Sequence, residues 1–377
     1  MAYLDYTRNQ ESPEIFHFWT GVSILSAALG RQVWIDKKFY KIFPNHYIIL
    51  LAGSAECRKS VAVGIGKELL ERAKIVPISA ERITNADVLK QLGELSQETG
   101  KAELFIFADE LATFLSTEET HKGIITTLTR LFTCPEHYEN RTKTAGVDVL
   151  DNCCINILAA TTPTDFGNII PGAATGSGFV PRLHIVHQDH ARERVPWPSR
   201  DEELGNALVL DLQHMREVMK GEFVLDPVAK EWWDTWYSVA FKYPDDMQLN
   251  GFYGRKPDYV LKLGMVIAAS ESDELVVYQP HLETALGFLN QMEQTMWKAY
   301  ELVGATPSLK YADLILNQLK KSGGRLTRSQ VLHKNWNKLD AETLTEVMRY
   351  LEESDMIKSL PSASGKGTVY VLVGVVE

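Results

Sequence analysis

The most restrictive feature of this sequence is a pair of short, uninterrupted apolar runs, each closed by residues suited to polar chemistry. Tyr47–Ala52 (YIILLA) runs into Gly53, and Leu104–Ala108 (LFIFA) runs into Asp109-Glu110. A run that is apolar at every position lacks the alternation of a half-exposed strand and belongs to a strand covered on both faces. Such strands need helices above and below them. Helical spacing follows the glycine loop through Lys74, and recurs over Asn85–Leu95 and Lys122–Phe132. Further strand-like runs stand at Ile75–Ser79, Ile155–Ala160 (INILAA) and Leu183–His187. This alternation predicts an α/β fold with a doubly wound parallel sheet.

The flanking segments differ in character. Glu14–Leu29 has helical spacing behind a Ser12-Pro13 start signal, and Arg31–Phe43 reads as a hairpin turning at Asp36-Lys37. After Arg192 a polar, Pro-containing connector (RERVPWPSRDEE) leads into helical periodicity up to Leu302. Gly304–Pro307 reads as a second linker. Beyond it come helices near Leu309–Lys321, from Thr327 and over Asp340–Ser354. Two strand-like runs, Ile357–Leu360 and Thr368–Val373, then flank a Ser/Gly-rich turn. Helices followed by a small hairpin is a winged-helix order. The expected organisation is an extension over residues 1–45, a nucleotide-binding core over 46–190, a helical lid over 191–303 and a winged-helix domain over 304–377.

Gly53-Ser54-Ala55-Glu56-Cys57-Arg58-Lys59-Ser60, followed by Val61, lies between a buried strand and a helix, where a phosphate-binding loop must lie. Loop and helix N–H groups would surround the phosphates of ATP. Lys59 would reach the outer phosphates, and the Ser60 hydroxyl would meet Mg²⁺. Arg58 stands where the G-x-x-x-x-G-K-[ST] pattern has its second glycine. Taken alone, the segment could be an ordinary strand–helix turn containing Lys-Ser. The acidic strand tip changes the balance. Asp109 there could hold Mg²⁺ through water, and Glu110 could orient and polarise an attacking water. A solvated Asp-Glu turn is common, but both motifs in order on suitable strands point to ATP with Mg²⁺.

The chain carries a net charge of −10, which argues against a protein that coats nucleic acid with its whole surface and confines such binding to a few residues. No apolar stretch approaches the roughly 20 residues of a membrane span. The first residues, MAYLDYTRNQESPE, lack the pattern of a signal peptide, so a cytoplasmic protein is expected. Cys57, Cys134, Cys153 and Cys154 have no zinc spacing and read as small buried apolar residues.

From Tyr47 to about Leu289 the motifs resemble, in order, the AAA+ core of the minichromosome-maintenance helicases, and more closely the compact relatives carried by phages and mobile elements. In that family a non-glycine residue often precedes the loop lysine, and the acidic strand ends in Asp-Glu, as at Asp109-Glu110. Lys143-Thr144-Ala145-Gly146 resembles the core of the family hairpin that faces the ring's pore. Ala159-Ala160-Thr161-Thr162-Pro163 resembles its sensor strand, with Thr162 where the family usually has Asn. Gly178-Phe179-Val180-Pro181-Arg182 resembles the element bearing the arginine finger, which implies that Arg182 enters a neighbouring subunit's ATP site. Gly254-Arg255 opens a segment similar to the lid helix with the second sensor arginine. By the same resemblance Arg141 and Lys143 would touch single-stranded DNA.

Each of these has a plainer reading: Arg182 as a surface arginine at a strand start, and Arg255 as the exposed end of a core helix. Trp232, Trp233, Trp236 and Tyr237 could stack on bases, but their spacing favours packing within the lid. Residues 1–45 leave no room for the family's large collar. The third C-terminal helix carries Asp340, Glu342, Glu346, Glu352 and Glu353, which phosphates would repel. A replication partner protein is the better expectation at the winged helix, with Lys358 and Lys366 its only DNA contacts. The leading expectation is a homo-oligomeric, hexameric ring ATPase that moves on or unwinds DNA threaded through its pore. An ATP switch that loads a helicase or initiates replication is the alternative, and a monomeric phosphotransferase is a third reading from another class.

Overall fold

A computed structural model describes residues 2–79, 84–114, 118–142, 146–170, 178–243, 250–302, 307–336, 339–361 and 367–373. The chain divides into two compact units, residues 1–303 and 304–377. It is a mixed α/β protein with a parallel sheet and many helices. Among the described residues no helix is long and apolar enough to cross a membrane.

The core of the first unit is a four-stranded, all-parallel sheet. Its order is Glu103–Ala108, Cys154–Thr161, Tyr47–Leu51, Leu183–His187. All four strands are buried along their whole length, as the uninterrupted apolar runs at Tyr47 and Leu104 require, and the other two strands bury Asn156, His184 and His187 with them. The expected strand Ile75–Ser79 shrinks to a single parallel bridge, Ile78 to Phe105, on the outer side of Glu103–Ala108. Pro77 offers only its carbonyl there, accepting from Phe105 N at 2.9 Å, while Ser79 N donates to Phe105 O at 2.9 Å. A proline has no N–H to extend the ladder, which confines it to such an edge.

Helix Glu14–Leu29 is buried on nearly every side and stops at Gly30, whose φ of 54° suits glycine. It packs on helix Lys59–Ala73 at very short range. A methyl group at Gly66 would come within 2.5 Å of Thr20 Cγ2, so the close approach depends on that glycine. The expected hairpin is present as Val33–Asp36 antiparallel to Lys41–Ile42. Its first strand also pairs in parallel with Gly221–Glu222, which ties the N-terminal segment to the helical region. That region contains helices Glu202–Val218, Pro227–Thr235, Lys256–Ala269 and Gln279–Leu302. Trp233 is buried, and Trp232 and Trp236 are half-buried against the core, so packing explains three members of the aromatic cluster while Tyr237 stays exposed.

The second unit runs helix Pro307–Lys321, strand Arg325–Thr327, helix Arg328–Lys334, helix Ala341–Glu353, strands Ile357–Pro361 and Thr368–Leu372. Its antiparallel sheet has Thr368–Leu372 in the middle. The unit has its own core, including Ile315, Leu319, Val331, Leu344, Val347, Leu351 and Ile357. Glu342, Glu346, Glu352, Glu353 and Lys358 are all exposed, while Lys366 lies outside the described residues.

Three histidines are sealed in the first unit. His184 contacts His46, Trp19 and Tyr259 at ring-centroid distances of 5.0, 5.1 and 4.5 Å. Burial pushes His184 and His17 down to about 3, and His46 well below the usual range. The unfolded chain, titrating near 6.5, then binds protons that the folded chain refuses. Stability is therefore unaffected above that pH and falls as pH drops from about 6.5 toward 3, by about 1.4 kcal/mol per pH unit for each histidine. The thermal midpoint should fall steeply between pH 7 and 5. His184→Phe, which removes one such proton, should visibly flatten that fall in thermal scans; an unchanged slope would show that other groups set the acid sensitivity.

Candidate nucleotide site

The register of the sheet decides what can meet. Leu51 pairs with Thr161, and Ala108 pairs with Ala159, so three strands end at one edge of the sheet. The loop Gly53–Arg58 leaves the first, Thr162 the second, and Asp109-Glu110 the third. The sequence reading put the acidic tip beside the loop. The strand Cys154–Thr161 in fact lies between them, which separates the two strands by about 10 Å, twice the interstrand spacing. Thr162 thus occupies the middle of the edge.

Helix Lys59–Ala73 begins without any side-chain cap, so its first N–H groups face the loop. Arg58, at the position where the motif has glycine, adopts the left-handed conformation that glycine would supply, with φ 49° and ψ 40°. That geometry explains the motif's usual glycine and costs an arginine about 1 kcal/mol or more. The N-terminal segment holds it in place: Ser12 Oγ donates to Arg58 O at 3.0 Å, and Arg58 Nε donates to Glu11 Oε2 at 2.9 Å. The Glu11 carboxyl is held low, chiefly by Arg58. Contacts across 46 and 47 positions leave no local signal, and sequence reasoning missed both residues.

Lys59 Nζ donates to Ala52 O at 2.6 Å and Gly53 O at 2.8 Å. Burial pushes its pKa down, against the pull of Cys57, Glu56 and Asp165. Asp165 is a third residue that sequence reasoning missed. It belongs to helix Pro163–Ile169, where Thr162 is the N-cap: Asp165 N donates to Thr162 Oγ1 at 3.1 Å, and Thr162 Oγ1 donates to Asp165 Oδ2 at 2.6 Å. Cys57 is buried and donates to Gln188 O at 3.6 Å, with burial raising its pKa. Ser54, Ala55, Glu56, Ser60, Val61, Asp109 and Glu110 are exposed, as groups that must meet a ligand have to be. An uncapped helix terminus, a lysine reaching back over the loop, a serine next to it and two exposed carboxylates fit the chemistry of ATP with Mg²⁺.

Arg182 and Arg255 lie elsewhere. Leu183 pairs with Tyr47 and His187 with Leu51, so Arg182 enters at the sheet edge opposite the loop, about 16 Å away at 3.3 Å per residue. Its Nη1 donates to Gly178 O, its guanidinium lies 5.8 Å from the Phe132 ring centre, and its Nε has no hydrogen-bond partner among the described residues. Arg255 Nη1 donates to Gly251 O at 2.8 Å. The two guanidiniums converge near Gly178, and the Arg182 pKa is lowered by burial and then by Arg255. Arg141 is exposed on strand His137–Thr142, which pairs with Gly146–Asp151, and its Nη2 is 4.0 Å from Glu139 Oε2. Lys143 lies outside the described residues.

No family model matches this chain, and no curated protein matches it. Among solved structures it shows a loose likeness to one described as the structure of Drosophila ORC bound to DNA. The likeness has 10% identity over 88% of this chain and 80% of that one, at a TM-score of 0.21.

Proposed function

We propose that this chain is an ATP-hydrolysing AAA+ ATPase that assembles head to tail into a hexameric ring and moves on or unwinds DNA, in the replication of a phage or mobile element. One observation carries the reading: the phosphate-seeking and water-activating groups stand at one edge of a parallel sheet, and two converging arginines stand at the other. Arg182 starts its strand at the end opposite its own loop, and Arg255 lies beside it. Two cations held together, one with an Nε unpartnered among the described residues, are suited to an anion brought by another molecule. A contact between unlike edges is heterologous, and with the right rotation it closes into a ring.

In this reading Lys59 and the loop N–H groups bind the phosphates, Ser60 and Asp109 hold Mg²⁺, and Glu110 orients the attacking water. Bound Mg²⁺ would neutralise charge developing on the phosphate oxygens. Thr162 can contact a phosphate only by giving up its bond to Asp165. Arg182 and Arg255 would steady the spreading charge on a neighbour's nucleotide. The order of elements in the second unit supports a winged helix, and its acidic face suits a partner protein better than DNA.

The test is ATP turnover by the purified chain with and without single-stranded DNA, together with opening of a forked duplex. Turnover should rise with DNA, and Arg141→Ala combined with Lys143→Ala should abolish the rise. Stimulation without fork opening would favour the helicase-loader or initiator reading. A rate indifferent to DNA, from a chain that stays monomeric with ATP, would favour a phosphotransferase.

A further inference from the structure

The tip of hairpin Val33–Asp36/Lys41–Ile42 plays no part in the nucleotide site. Its turn is pinned by hydrogen bonds: Lys37 N to Tyr40 O at 2.9 Å, Phe39 N to Lys37 O at 2.9 Å, and Lys38 N to Asp36 Oδ1 at 2.6 Å. Lys38 takes the left-handed conformation, φ 68°, that closes such a turn. On this fixed turn Phe39 is 99% exposed and Tyr40 53%. A single exposed phenylalanine is ordinary. This one is held out by the backbone, next to a second exposed aromatic ring, with Lys37, Lys38 and Lys41 within five residues.

Two acids beside the tip, Asp36 and Asp258, are already engaged. Asp36 is 3.5 Å from Lys38 Nζ as well as bonded to its N–H, and Asp258 is bonded to Tyr40. Lys41 lies 4.7 Å from the Trp34 ring centre and Lys37 5.6 Å from that of Trp233, with Asp36 and Asp258 respectively adding a weaker pull. Exposed Tyr237 stacks on Trp233 at 5.9 Å and 11° and adds another flat surface beside Tyr40.

We propose that Lys37–Lys41 is a contact for single-stranded nucleic acid, with Phe39 stacking on a base and the lysines holding adjacent phosphates. Every base has a face that can stack, and a backbone follows a row of cations, so the pair of features suits a strand of any sequence. In a chain of net charge −10 a polyanion can approach only where cations are locally concentrated, and this tip is such a place. The inference stands apart from the ATPase reading, because none of these residues belongs to the nucleotide edge.

Fluorescence anisotropy of a labelled oligothymidylate, titrated with the full chain at several salt concentrations, tests it. Phe39→Ala should weaken binding about five-fold or more, the low end for loss of one stacked base, while Phe39→Trp should keep it. Lys38→Ala should lower the log–log salt slope by about 0.7. Circular dichroism should match wild type for all three, since Phe39 is 99% exposed and Lys38 reaches only the side chain of Asp36 at the surface. Wild-type affinity in Phe39→Ala overturns the proposal. So does a Phe39→Ala chain that loses self-assembly on a sizing column while each chain binds the oligonucleotide normally, which would assign the tip to a second copy. Phe39-dependent binding in a chain without ATP turnover would sink the motor reading and leave this one intact.

Discussion

Glu110→Gln should bind ATP as the wild type does and lose turnover by about 10²- to 10⁴-fold, the usual share of a general base. Glutamine keeps the size and polarity of the side chain but cannot accept a proton or polarise water as a carboxylate does. Glu110 is exposed at a strand tip, so the exchange should not disturb folding. Lys59→Ala should differ by losing both binding and turnover. The ammonium now satisfies the carbonyls of Ala52 and Gly53, and a nucleotide would take over that charge. Calorimetric binding of an ATP analogue and steady-state phosphate release, measured on both variants, separate the two roles. Wild-type turnover in either variant would remove its residue from the site.

The second large effect concerns Arg182. Arg182→Ala should still bind ATP while turnover falls by about 10³-fold, the lower range for a finger that stabilises transferring phosphate. Arg182→Lys, which keeps the charge but not the planar fork, should recover little. Mixing Arg182→Ala with Lys59→Ala should restore part of the activity, because some interfaces then pair an intact loop with an intact finger. Native mass spectrometry can establish that mixed assemblies form. Mixed assemblies without recovered turnover would mean that Arg182 serves its own subunit or none.

The legibility of the sequence had a clear physical limit. Tyr47–Leu51 and Leu104–Ala108 were readable because a strand covered on both faces can be apolar at every position of its run. The hairpin and most helices were readable from periodicity and caps; Thr84 and Thr327 each close a capping box. The order of strands was not, since four buried strands carry no mark in their sequence of which lies beside which. The interposed strand Cys154–Thr161, and the placement of Arg182 on the far edge, follow only from register. Ile75–Ser79 had strand-like residues, but Pro77 limited it to one bridge. Glu11 and Ser12 touch the loop, and Asp165 acts on its lysine, through the fold alone. The outward Phe39 was hidden for the opposite reason: a sequence pattern reports what a strand buries, and says nothing about what a turn displays.

The parallel pairing of Val33–Trp34 with Gly221–Glu222, reinforced by Phe223 N to Trp34 O at 2.7 Å, has a mechanical consequence. It welds the base of the hairpin to the start of the helical region. The hairpin turns back at Lys38–Phe39, about four residues beyond Trp34, an arm of at most about 13 Å at 3.3 Å per residue. A tilt of the helical region by about 15° would sweep the arm's end through about 3 Å, close to the rise of one residue along a strand. Small angular changes at the pivot are thereby converted into displacements of molecular size at the tip, without any need for the hairpin itself to bend.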